Sequence, residues 1–127
     1  MPGADPFTYA ILRVVPSVER GERLNVGVVL FCRQRQFLGL RFAVDPVRLG
    51  ALAPGLDLDE VTAHLQGLAR VAEGAPDAGA VAAMPQSERF GWLVAPASTV
   101  VQASEVHTGL CEEPAATLDA LFARLVD

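Results

Sequence analysis

Four polar side chains, Arg13, Arg20, Glu22 and Asn25, crowd one short stretch near the N-terminus. All ten basic residues of the chain are arginine. A guanidinium presents a planar fork of N–H donors that suits a carboxylate or a phosphate. Paired arginines here would make an anion site, which Arg48 and Arg89 could join. A second polar segment, Ser104-Glu105-Val106-His107-Thr108-Gly109, sets one imidazole beside two hydroxyls. Histidine titrates near neutral pH, so His107 could serve as a general base. Each feature also has a plainer reading. Charged residues in a loop between strands commonly tie that loop down, and an asparagine ahead of a glycine-bearing strand can bond the backbone. One histidine is no triad, and a lone loop histidine is more often structural. An all-arginine, alanine- and valine-rich composition is also what a GC-rich genome yields. The plainer readings are preferred at this point.

Other chemistries find less support. Two histidines and two cysteines at wide separation match no metal-ligand or redox spacing, so neither a metal nor a cofactor is expected. Cys32 sits in an apolar run and reads as a buried free thiol. Arg20-Gly21-Glu22 lacks the glycine spacing and the lysine of a phosphate loop. His64 flanks the apolar side of a helix. A formal charge of −5 opposes nucleic-acid binding, which needs clustered basic residues. No apolar run approaches the ~20 residues of a membrane span and no signal segment is evident, so no membrane association and a cytoplasmic location are expected.

The elements that must position these residues follow from periodicity. With 127 residues, 51% of them hydrophobic, the chain is read as one domain over 1–127, frayed over 1–6. Phe7 to Val15 is a first strand, ended by Pro16. Strand alternation puts Tyr9, Ile11, Arg13 and Val15 on one face. Leu24 to Cys32 is almost continuously apolar, as a central strand covered on both faces would be. In it Asn25, Gly27, Val29 and Phe31 lie opposite Leu24, Val26, Val28 and Leu30. Arg13 and Asn25 can then share a face, and Gly27 would let a side chain or ligand approach the backbone. A polar turn over 33–36 leads to a third strand, Phe37 to Val44, as a hairpin. A helical turn is expected over Val47 to Leu52. Asp57, with Glu60 three residues on, caps a helix bearing Val61, Leu65, Leu68 and Ala72 inward and Arg70 outward, stopped by Gly74. The Ala/Gly/Pro-rich stretch 74–85 stays undecided between loop and poor helix. Phe90 to Val94 and Thr99 to Ser104 read as fourth and fifth strands, with His107 in the loop beyond and Gly109 allowing a tight turn. Glu112 and Glu113 are expected to cap a last helix and favour its dipole; it starts at Pro114 and carries Leu118, Leu121, Phe122 and Leu125. The expected fold is α+β, a two-layer sandwich with a roughly five-stranded, mainly antiparallel sheet and two to three helices.

Two blocks carry a family resemblance. Tyr9-Ala-Ile-Leu-Arg-Val-Val-Pro16 with Arg20-Gly-Glu-Arg-Leu-Asn-Val-Gly27 is one. Glu88-Arg-Phe-Gly-Trp-Leu-Val-Ala-Pro96 with Ser98-Thr-Val-Val-Gln102-Ala-Ser-Glu-Val-His107-Thr-Gly109 is the other. Together they resemble the bacterial family known as domain of unknown function 3037. At Gly91 and Ala97 this chain departs from relatives with larger or basic residues. If those positions line a site, it is diminished here. No established activity comes with the resemblance. It implies a neighbour of the HipA-like kinase type, and hence a protein partner. The leading expectation is therefore a non-enzymatic accessory or interaction module, with a homodimer through a free sheet edge left open. The alternative is a ligand-binding protein or enzyme for an anionic substrate such as a nucleotide or phosphorylated metabolite. Its site would draw on Arg13, Arg20, Glu22, Asn25, Arg89 and His107.

Overall fold

The computed structural model of the chain describes residues 3–97 and 99–127. Ser98, within the second family-like block, lies outside the described residues, as do residues 1–2. Five strands, β1 (Asp5–Val14), β2 (Leu24–Cys32), β3 (Phe37–Phe42), β4 (Val101–Ala103) and β5 (His107–Cys111), form one sheet, and all their pairings are antiparallel. The order is β3-β2-β1-β4, and β5 also pairs with β1. β1 thus holds β2 along one side. Along the other, β4 pairs its C-terminal half and β5 its N-terminal half. Four helices accompany the sheet: α1 (Pro46–Leu52), α2 (Leu58–Glu73), α3 (Gln86–Leu93) and α4 (Pro114–Leu125). The class is α+β, with one or two helices more than the periodicity suggested.

The unbroken apolar run of β2 has the cause inferred from it. Val29 belongs to a core cluster shared with α2 and α3. Val28, Leu30 and Cys32 belong to another, closed by Leu118, Leu121 and Phe122 of α4. Helices therefore lie on both sides of the central strand. Val28, Val29 and Leu30 are fully buried, and burial of such a side chain contributes about 1.5–3 kcal/mol.

Local chemistry sets the helix ends. The Asp57 carboxylate accepts from the Glu60 amide at 3.1 Å, and Gly74 closes α2 in the left-handed region at φ 70°. Asp45 caps α1, and Pro114 opens α4. Glu113 stands at the N-cap of α4 without a side-chain cap bond. Within the undecided stretch 74–85, a single 3-10 turn forms over Val81–Ala83.

One element departs from expectation. Phe90 to Val94 is not a strand, because Phe90–Leu93 is the last turn of α3 and Val94 its C-cap. The apolar signal there repeats every three residues: Phe90 and Leu93 are buried while Trp92 is 48% exposed. A strand would have put Phe90 and Trp92 on one face. The missing strand lies further on, where 107–111 pairs with β1 as β5. His107 is therefore a strand residue rather than a loop residue. Gly109 is mid-strand too. It makes no turn but leaves room for the Phe7 ring, whose carbons would lie 2.7 Å from a Cβ there.

Candidate functional site

A bulge decides the geometry of the first polar segment. Leu12 pairs with Gly27 but Arg13 pairs with Asn25, so Val26 is the extra residue in β2. Strict alternation would have turned Asn25 towards α2 and α3, with Gly27 and Val29. Instead Val26 joins that core and Asn25 turns to the α4 side. The face grouping expected for β2 is corrected at this point, because a bulge shifts the alternation by one residue. Arg13 and Asn25 do share a face, and the bulge is the reason.

What the pair does there is visible in its bonds. Arg13 Nε donates to Asn25 Oδ1 at 3.2 Å, and Asn25 Nδ2 donates to the Leu125 carbonyl at 3.0 Å. Arg48 Nη1 donates to the Val126 carbonyl at 3.0 Å. The last carbonyls of a helix lack intrahelical donors, and cationic groups are favoured beside them. Asn25 and Arg48, from β2 and α1, thus cap the C-terminal end of α4. Burial first, then the charge of Arg23, lower the Arg13 guanidinium from its ordinary value, against a smaller opposing effect of Glu105. Arg13 stays cationic, since a guanidinium does not deprotonate in proteins.

The other expected site residues separate. Arg20 and Glu22 pair with each other at 2.7 Å in the β1–β2 loop, with side chains 71% and 53% exposed. This hydrogen-bonded carboxylate raises the Arg20 value. Arg89 lies on α3, across the sheet from Arg13, and its Nη1 donates to the Ala82 carbonyl at 3.1 Å. It fills the space above Gly74, where a Cβ would meet Nη1 at 2.3 Å. It fastens α3 to the end of α2. His107 shares the sheet face of Arg13. It pairs with Tyr9 in the β1–β5 register, their ring centroids are 5.3 Å apart, and Glu105 lies 3.7 Å from Nε2. Tyr9 and Arg13 are four residues apart on one strand, about 13 Å. The structure thus brings Arg13 to Asn25, and Arg20 to Glu22, but does not gather the six into one concavity. Among the described residues, surface cavities of about 280–580 Å³ are walled by side chains other than these six. Gly91 and Ala97 are both exposed, and a Cβ at Gly91 would meet nothing within 4 Å.

A different feature stands out on the far side of β1. Among the described residues β5 pairs with β1 alone, so its outer backbone groups face away from the sheet. α2 runs across from β3 to β4, while α3 and α4 sit on β2 and β3. The α2/α3 face of β5 is left bare. Leu110, paired with Pro6, is 72% exposed there. Val106, two positions before Thr108 in the same alternation, is 43% exposed. Trp92 and Val100, 48% and 37% exposed, flank β4 further along the same border. Sequence reasoning missed this edge, although the alternation of Val106, Thr108 and Leu110 with Glu105, His107 and Gly109 was its signal.

The strand is anchored by one buried hydroxyl that the sequence did not single out as structural. Ser104 Oγ accepts from the Ile11 amide at 2.9 Å and donates to the Glu105 carbonyl at 2.8 Å, while its own amide donates to the Ile11 carbonyl at 2.8 Å. The register moves by one residue between β4 and β5 at this point. The hydroxyl supplies the acceptor that the interrupted ladder withholds from Ile11. Among the described residues no helix is long and apolar enough to cross a membrane.

No curated protein and no solved structure matches the chain. A family model described as "Protein of unknown function (DUF3037)" matches residues 9–126, nearly the whole of it. That span takes in both polar segments, the α4 cap and the free edge, and the chain belongs to the DUF3037 family.

Proposed function

We propose that this chain is a protein-interaction module that docks a partner along the outer edge of β5. The observation that carries the reading is the unpaired β5 edge beside exposed Leu110 and Val106. An open edge offers backbone donors and acceptors to an incoming strand, and apolar side chains next to it supply area for specificity. The arginines that suggested an anion site are engaged elsewhere: Arg13 with Asn25, Arg20 with Glu22, Arg48 and Arg89 with backbone carbonyls, although Arg89 Nε stays buried without a partner. The partner proposed is a bacterial protein of the HipA-like kinase type, to which this chain would be an accessory.

The test is direct binding. The purified chain is mixed with a HipA-type kinase from its own host and followed by sedimentation velocity. A complex with the wild type that Leu110→Lys weakens at least ~tenfold supports the reading, since a buried apolar anchor contributes about 1.5–3 kcal/mol. A complex indifferent to Leu110→Lys and to a proline at Thr108 would refute edge docking.

A further inference from the structure

Resting on the edge-docking reading, we infer that the occupant of β5 is an extended segment of a partner protein with basic residues at both ends, not a second copy of this chain. The β5 edge is short, five residues, and exposed carboxylates stand at each end of it: Glu105 before, Glu112 and Glu113 after. Among the described residues Glu105 has His107 as its one charged partner within 4 Å, at 3.7 Å, with its side chain 77% exposed. Among the described residues no arginine lies within 4 Å of the three. Consider a second copy laid antiparallel and in register, His107–Cys111 on His107–Cys111. Gly109 then meets Gly109, and Glu105 of each copy faces Glu113 of the other. Both residues lie just beyond the paired strand, so like charges are brought together at each of its two ends, where they repel. The chain's charge of −5 adds to the repulsion.

A foreign strand in that register meets a defined pattern. Val106, Thr108 and Leu110 project to the bare face, so alternate residues of the partner should be apolar to cover them. Its residues opposite Glu105 and opposite Glu112–Glu113 should be lysine or arginine. Main-chain pairing gives the affinity, the apolar row fixes the register, and the charges exclude self-association.

Two synthetic peptides test this, each with a Val-Thr-Val-Thr-Val core, one flanked by lysines and the other by glutamates. Titrations at low salt are followed by amide NMR shifts of the 15N-labelled chain. The expected result is perturbation of the Val106–Cys111 amides by the lysine peptide, with affinity on the order of tenfold above the glutamate peptide. The difference should vanish in Glu105→Gln/Glu112→Gln/Glu113→Gln and fade at high salt, where such charges are screened. Equal binding of both peptides at β5 would overturn the basic-occupant inference and leave edge docking standing. Binding of neither would sink edge docking itself. A concentration-dependent dimer that protects the β5 amides would show that the occupant is a second copy and overturn the inference.

Discussion

Replacing Asn25 with alanine tests whether the first polar segment serves the fold or a ligand. The side chain makes two bonds at once, accepting from Arg13 Nε and donating to the Leu125 carbonyl, and both are partly buried. A hydrogen bond to an ionised donor contributes about 1.5–3 kcal/mol when well enclosed. Arg13 is only partly enclosed, so solvent screening reduces that share to ~1 kcal/mol. The bond to the helix carbonyl contributes about another 1 kcal/mol. Asn25→Ala should therefore cost about 2 kcal/mol, a fall in Tm of roughly 8 °C for a chain of this length. Urea and thermal denaturation by circular dichroism measure it. Arg13→Ala in a double-mutant cycle should show coupling, the double variant losing ~1 kcal/mol less than the sum of the singles. Amide exchange should rise at the end of α4. A variant within ~0.5 kcal/mol of wild type, with α4 still protected, would refute the capping argument and return Asn25 to the list of ligand-binding candidates.

Three further outcomes follow from local geometry. Gly27→Ala places a Cβ 2.8 Å from the Arg41 carbonyl, a backbone atom that cannot swing aside, and should cost about 1–3 kcal/mol in urea titrations; Gly91→Ala, facing open space on α3, should instead gain up to ~1 kcal/mol. Ser104→Ala leaves the Ile11 amide without its acceptor and should cost about 1–3 kcal/mol, with amide exchange quickened at β5 more than at β2. Burial, with Cys32 beside it, pushes the Cys111 thiol up from its ordinary value, so the fold favours the protonated form. That stability is fully present below the ordinary thiol range and is lost as the pH rises through the raised value. Urea midpoints should fall on the alkaline side, and Cys111→Ala should flatten the decline.

Most of the fold was legible because its signals were local. Asp57 and Glu60, Gly74, and Pro114 fix helix ends through bonds within a few residues, and the sequence shows them directly. The doubly covered β2 was legible because burial on both faces needs an unbroken apolar run. Two things were not. The bulge at Val26 is a property of the pair β1–β2, since nothing in Asn25-Val26-Gly27 alone tells which residue goes unpaired. Phe90–Leu93 holds aromatic and apolar residues too few to separate a strand from a helical turn, and Pro85 ahead of it was the better guide. The candidate site suffered from both. Arg13 and Asn25 were paired correctly in space, but the sequence could not place Arg89, which lies on α3 across the sheet from them. His107 was read in a loop when its pairing with Tyr9 makes it part of the sheet.

The polar residues near the N-terminus serve the placement of α4. α4 follows β5 after only two residues and crosses to β2 and β3, where Leu118, Leu121 and Phe122 complete the core. Holding a helix in that crossing needs its far end fixed, and Asn25 and Arg48 fix it at Leu125 and Val126. The arginine-rich segment is thus spent on placing α4. Leu110 and Val106 project to the opposite face of the sheet, where α2 lies on β3 and β4 and α3 on β2 and β3, so β5 is left uncovered there. A catalytic reading would ask Arg13 and Arg89 to act together from opposite faces of the sheet, and Arg13 to reach His107 across about 13 Å. The docking reading asks nothing of them beyond what they already do.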